Sequence, residues 1–156
     1  MPKKTSGTVA NENGSFLEEF IESLLTRHGY SFVPKKKFEA ATYLQQPIYT
    51  KQFHVGISIY ETELFCDFIL YHPEKYPLCL VVESKWQQST GSVDEKFPFL
   101  VLNIKTQTPY KTIVILDGGG YKPQAETWLR NQVDGDKLIH VFNMSEFQKW
   151  TNKNNL

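Results

Sequence analysis

The stretch "LFCDFILYHPEKYPLCLVVESKWQQ", Leu64 to Gln88, is two strand-like runs joined by a proline-bounded turn, "HPEKYP". Its second run carries a carboxylate and an ammonium two residues apart, Glu83 and Lys85, where a buried strand has no use for charge. With the turn spanning 72–77 and centred near Lys75, the simplest hairpin sets Tyr71 opposite Cys79 and Asp67 opposite Glu83. Directly opposed residues have Cβ atoms roughly 4.5 to 5.5 Å apart, so two carboxylates share one small space. Alternation then puts Asp67, Glu83, Lys85 and Gln87 on one face. Leu64, Cys66, Phe68 and Leu70 of the first run, with Leu80 and Val82 of the second, take the other.

Both faces are largely apolar, which marks an interior strand pair. Two like charges opposed across a ladder are destabilising unless something compensates, and a divalent cation does so. Carboxylate oxygens with few further protein ligands suit Mg²⁺, with Mn²⁺ as a substitute, because Mg²⁺ keeps several waters and is completed by phosphate oxygens. Beside it, the Lys85 ammonium can orient a water and offset charge developing on phosphorus-bound oxygens. Those parts together hydrolyse a phosphodiester. The plainer reading, a charged strand end with Asp67 paired to Lys85, loses ground because an aspartate stands at the hairpin-matched position.

Around this hairpin the chain alternates strands and helices. Phe16, Leu17, Phe20, Ile21, Leu24 and Leu25 recur at helical spacing, Ser15 and Glu18 form a capping-box pattern, and Gly29 supplies a stop. Residues 1–14 are small and polar without periodicity and read as a flexible arm, leaving 15–156 as one domain. Residues 30–50 read as a long loop with at most one short strand. "FHVGISIY" (Phe53 to Tyr60) precedes the hairpin as a third strand of an antiparallel meander. Afterwards come a helix over Phe97, Leu100, Val101 and Ile104, either kinked or begun at Pro98 with Ser92 and Glu95 as a cap, and the strand "TIVIL" ended by "DGGG". A helix opened by Pro123, the strand "LIHVF" and a last helix from Ser145 complete the order α-β-β-β-α-β-α-β-α. The expected fold class is α/β (α+β): a mixed central sheet flanked by helices on both faces.

Composition narrows the function classes. The 156 residues, 40% hydrophobic and 14% aromatic, suffice for one packed domain, and 17 basic against 17 acidic side chains leave no global attraction to phosphate. Nucleic-acid binding must therefore use a local patch, with "PKK" at Pro2 and "PKKK" at Pro34 as candidates against a plainer reading as solvated lysines. No apolar run is long enough to span a bilayer and no signal-like segment opens the chain, so a cytoplasmic protein with no membrane contact is expected. In the hairpin register Cys66 and Cys79 lie roughly 17 Å apart and cannot form a disulfide. His28, His54, His72 and His140 have no metal-type spacing and read as surface or capping groups. "DGGGYK" lacks the phosphate-loop pattern and reads as a turn, and "NMS" at Asn143 is a glycosylation acceptor only outside the cell.

An acidic residue on one strand, Glu-x-Lys on the next, a preceding helix with glutamate and a following helix-strand pair resemble the PD-(D/E)XK nucleases, the restriction-endonuclease-like superfamily. The resemblance runs from "GSFLEEFIESLLTRHGY" to "VFNMSEFQKW" and is nearest type II restriction endonuclease-like members, whose E-x-K-x-Q is followed by Gly-Ser/Thr and a lysine, here Gly91, Ser92 and Lys96. It implies Asp67, Glu83 and the Ser84 carbonyl as metal ligands, Lys85 as the water-positioning residue and Gln87 as an orienting group. It further implies Glu18 as a first-helix glutamate joining the metal site and Lys96 as a contact to the scissile strand. Cys66 stands where the motif has its loosest element, proline.

The function so implied is a Mg²⁺-dependent DNA endonuclease acting as a homodimer or with a partner subunit, since cutting both strands of a duplex takes two sites. The alternatives are a homing, junction-resolving or repair nuclease, and a catalytically inactive nucleic-acid- or protein-binding module of the same fold. A pure binding module gains nothing from paired buried carboxylates.

Overall fold

The computed structural model describes residues 6–156, with side chains from residue 12 onward. Six strands form one sheet in sequential order: β1 (Ser31–Phe32), β2 (Ile48–Ile57), β3 (Glu63–His72), β4 (Tyr76–Trp86), β5 (Lys111–Asp117) and β6 (Leu138–Phe142). β2, β3 and β4 are antiparallel, while β1 on one side and β5 and β6 on the other pair parallel to their neighbours. Helices cover both faces of this mixed sheet, as expected for a restriction-endonuclease-like α+β fold.

Helix α1 (Ser6–Arg27) begins well before the expected start at Ser15, so residues 6–14 are helical rather than irregular, and Ser15 and Glu18 lie inside the helix instead of capping it. The part of the expected arm before residue 6 lies outside the described residues. Leu17, Ile21, Leu24 and Leu25 are fully buried at the spacing that sets one helix face on a sheet. The helix ends as its glycine requires. Gly29 has φ +89, Tyr30 N–H donates to Leu25 and Gly29 N–H to Thr26, the two bonds of a Schellman cap.

That buried face meets Phe68, Leu70, Leu80, Val82, Ile113 and Ile115, with Phe147 of α5 (Met144–Thr151) closing the same layer. On the opposite face α3 (Phe97–Thr106) and α4 (Pro123–Arg130) cover Val114 and Leu116, and α2 (Phe38–Ala41) covers Ile48, Ile69, Tyr71 and Val81. Residues 30–50 thus hold β1, α2 and two 3₁₀ turns where the sequence suggested a long loop with at most one short strand. Short elements of this kind carry too few periods to announce themselves.

Pro98 opens α3 rather than kinking it. A 3₁₀ turn, Asp94–Lys96, precedes it and no side chain caps it, so the Ser92 and Glu95 cap is not formed. Helix α5 is capped not from Ser145 but by Asn143, whose side chain accepts Glu146 N–H at 2.8 Å while Glu146 accepts Asn143 N–H at 3.1 Å.

The hairpin differs from its simplest form in two places that offset each other. The turn is Pro73–Lys75, with His72 opposite Tyr76 and His72 Nδ1 accepting N–H groups of Glu74 and Lys75, both at 3.1 Å. Further along, Leu70 faces Leu80, so β4 spends Pro77, Leu78 and Cys79 against Tyr71 alone, with Cys79 at φ +69. Tyr71 therefore does not pair with Cys79. Beyond the bulge Leu70, Ile69 and Phe68 face Leu80, Val81 and Val82, the expected register. Both cysteines are free.

Candidate active site

Strand alternation in β2 and β3 breaks at Gln52, ahead of a register shift between His54 and Gly56. Lys51 lies over the Phe68 ring on the α1 side, yet Phe53, two residues on, packs edge-on against Phe38 of α2 on the other side. Gln52 between them has φ +52, a left-handed conformation that a β-strand cannot hold without rolling. Their partners follow: Phe68 faces α1, whereas Cys66 joins Ile69, Tyr71 and Val81 on the opposite side. Cys66 is thus not on the face of Phe68 and Leu70, as alternation had suggested. Asp67 sits at the break.

The β3–β4 ladder ends at Phe68 and Val82, and Asp67 supplies what the backbone no longer does. Its Oδ2 accepts Ser84 N–H at 2.8 Å and the Ser84 hydroxyl at 3.3 Å, so the carboxylate lies in the fork between the two strands. A strand residue turns its N–H and C=O to the same neighbour, hence the Ser84 carbonyl also faces this fork. Glu83 and Lys85 project toward α3, beside Val114 and Leu116 of β5. Lys85 Nζ lies 3.4 Å from Glu83 Oε2 and 3.7 Å from Asp67 Oδ2. Two carboxylates and one ammonium have converged.

One cation does not balance this pair. Burial pushes the Glu83 carboxyl up, the charge on Asp67 pushes it further, and Lys85 only partly offsets them, leaving it at about 8. Burial lowers Lys85, but the facing carboxylates outweigh it and hold the ammonium above the ordinary lysine range. The set is short of positive charge and offers hard oxygen donors, which fits a divalent cation with few protein ligands. Among the described residues, no three His, Cys, Asp or Glu side chains converge on a metal-sized position, so any such ion would keep most of its shell from water or substrate.

A domain described as the PD-(D/E)XK nuclease superfamily domain matches residues 9–155. This chain belongs to that superfamily. Neither curated proteins nor solved structures gave a significant match. A nuclease domain implies a nucleic-acid substrate, and PD-(D/E)XK nucleases generally use divalent metals. No helix among the described residues is long and apolar enough to cross a membrane.

The remaining residues that the motif suggested fall in different places. Lys96 lies at the rim of a cavity that Glu83 and Lys85 also line. Glu18 does not reach it: its carboxylate pairs at 3.0 Å with Lys51 on the α1 side of the sheet. Gln87 is buried and both ends of its amide are engaged, Oε1 accepting Asp94 N–H at 3.0 Å and Nε2 donating to the Gly120 carbonyl at 3.1 Å. Its geometry is that of a brace behind the PD-(D/E)XK strand, not of a group free to orient water.

That brace uses residues the sequence marked only as a turn. Gln87 N–H donates to the Asp117 carbonyl and Gly120 N–H to the Gln87 carbonyl, so the "DGGG" turn lies flat against the end of β4. A Cβ at Gly118, where φ is +104, would stand 2.4 Å from the Gln87 carbonyl oxygen, and one at Gly120 would stand 2.4 Å from Gln88 and Ser89 backbone. Asp117 carries the tie onward, accepting Gly118 N–H at 2.8 Å and Met144 N–H, at the start of α5, at 2.9 Å. Asp94 accepts Lys122 N–H at 2.9 Å. Three glycines after a buried strand were the available signal.

Proposed function

We propose that this PD-(D/E)XK chain is a Mg²⁺-dependent DNA endonuclease of restriction-endonuclease-like type, with Asp67, Glu83 and Lys85 as its catalytic set. The observation that carries the reading is the convergence of two carboxylates and a lysine in the fork where β3 and β4 part. Asp67, Glu83 and the Ser84 carbonyl would hold the cation, which supplies Lewis-acid polarisation of a phosphoryl oxygen and acidifies water. Lys85, held as an ammonium by its two neighbours, donates hydrogen bonds that orient the attacking water and offset charge growing on the non-bridging phosphate oxygens. Gln87 keeps Lys85 in place by fixing the strand end, and Lys96 contributes charge at the rim against the substrate backbone. Double-strand cleavage calls for a homodimer or a partner subunit; a lone protomer nicks.

Incubating the purified protein with supercoiled and linear DNA, with Mg²⁺ or with EDTA, tests this. Cleavage that needs the metal and vanishes in Lys85→Ala is expected. DNA binding without cleavage, unchanged in that variant, would mean a binding module of the same fold.

A further inference from the structure

The cavity that Glu83 and Lys85 line has a volume of about 360 Å³ between β3 and α3, and its other walls are largely apolar, Leu64, Phe65, Val93, Phe99 and Leu100 among them. Its aromatic walls are open to solvent: Phe65 is 49% exposed. Phe99 stacks with Tyr60, itself 73% exposed, at 5.1 Å between ring centroids and 25° between planes. The stack is built in. Buried Asn103 of α3 accepts Ile59 N–H at 2.9 Å and donates to the Phe99 carbonyl at 2.9 Å, which fixes the turn carrying Tyr60 against the helix. Basic groups alternate with these rings: Lys96 at the rim and Lys35, whose Nζ stands 6.0 Å from the Phe65 ring centre.

Exposed aromatic faces interleaved with lysines are the chemistry that holds unpaired strands: every base has a π-face to stack, and each ammonium meets backbone phosphate. The cavity offers no free amide to read a base edge, because both ends of Asn103 are spent on the backbone. A base still paired in a duplex cannot enter so small a space, whereas one taken out of the stack can.

We infer that this cavity receives one unpaired nucleobase of a DNA strand whose adjoining phosphate lies against Glu83 and Lys85, so that the chain prefers single-stranded or locally opened DNA to an intact duplex. The inference rests on the nuclease reading only for the place of the phosphate; base capture is measured by binding. With Ca²⁺ replacing Mg²⁺, fluorescence anisotropy compares an oligothymidine strand, a duplex of the same length and a strand of abasic residues. The thymidine strand binds roughly tenfold more tightly than the other two, the scale of one stacked base. Phe65→Ala, an exposed change that leaves the core intact, abolishes that advantage without weakening the abasic strand, and Phe65→Tyr keeps it. Equal affinity for all three DNAs, no binding to any, or a Phe65→Ala loss shared by the abasic strand overturns the inference. Mg²⁺-dependent cleavage alongside equal affinities would retire base capture and leave the nuclease standing; base-dependent binding without cleavage in Mg²⁺ would do the reverse.

Discussion

Among the described residues two clusters have the same make-up, a lysine between two carboxylates, on opposite sides of the sheet. Lys51 pairs with Glu22 at 2.7 Å and Glu18 at 3.0 Å under α1, and Lys85 pairs with Glu83 at 3.4 Å and Asp67 at 3.7 Å facing α3. Their electrostatic states are opposed. Burial alone would raise Glu22, but hydrogen bonds from Lys51 and from the Tyr49 hydroxyl, the latter at 2.7 Å, outweigh it and hold its carboxyl below the usual glutamate range. Glu83, more deeply buried and with Asp67 for a neighbour, is raised instead. The first cluster has spent its charges on itself; the second is left wanting a cation. Identical charge counts therefore say little until distance, desolvation and the remaining hydrogen bonds are known.

Exchanging the two lysines' fates gives the largest test of this contrast. Lys85→Ala is expected to lower the single-turnover cleavage rate by roughly 10²- to 10³-fold, the scale of losing one preorganised donor to the transition state, while Lys51→Met changes it little. Comparable losses from both would erase the distinction. A divalent cation should then stabilise the fold through one cluster only. At 100 times its dissociation constant a bound ion contributes about 2.7 kcal/mol, seen as a rise in Tm that Glu83→Gln abolishes and Glu18→Gln does not.

The pH dependence of stability in EDTA should have opposite signs for the two carboxylates. Glu83 keeps its proton in the fold up to about pH 8 but loses it near its ordinary 4.5 when unfolded. The native state then binds more protons across that window, and stability falls as pH rises through it. Glu22 contributes stability that is present above 4.5 and is lost as pH falls through its lowered native value. Thermal melts from about pH 2 to 9 should accordingly lose their alkaline slope in Glu83→Gln and part of their acid slope, below pH 4.5, in Glu22→Gln. The smallest effect is Lys51→Met on stability, about 1 kcal/mol in a denaturant titration, because partly exposed ion pairs are worth little.

Much of the site was legible because its residues lie in one hairpin. Asp67, Glu83 and Lys85 are separated by a single turn, and period-two alternation brings the last two to one face whatever else the chain does. Glu18 and Gln87 were legible only as residue types. Helix phase cannot say which of two acidic clusters Glu18 will join, since Lys51, its actual partner, is 33 positions away, on a stretch of β2 ahead of the Phe53 at which the sequence suggested that strand begins. Gln87 looked like a group free to act because its partners, Asp94 and Gly120, come from loops with no periodic pattern.

By itself the sequence determined the α1 stripe and its glycine stop, the order of the long strands and helices, and the charged set on the hairpin, all fixed by local periodicity and capping. Tertiary structure alone decided how that hairpin closes. Its turn is centred on Glu74, and the same turn without the Pro77–Cys79 bulge would have set Asp67 across from Val81, leaving Glu83 a full pair, roughly 7 Å, further along. No local signal demands left-handed backbone at a cysteine. The bulge persists because burying Phe68, Leu70, Leu80 and Val82 together under α1 outweighs its strain, and with that packing comes the fork in which the two carboxylates meet.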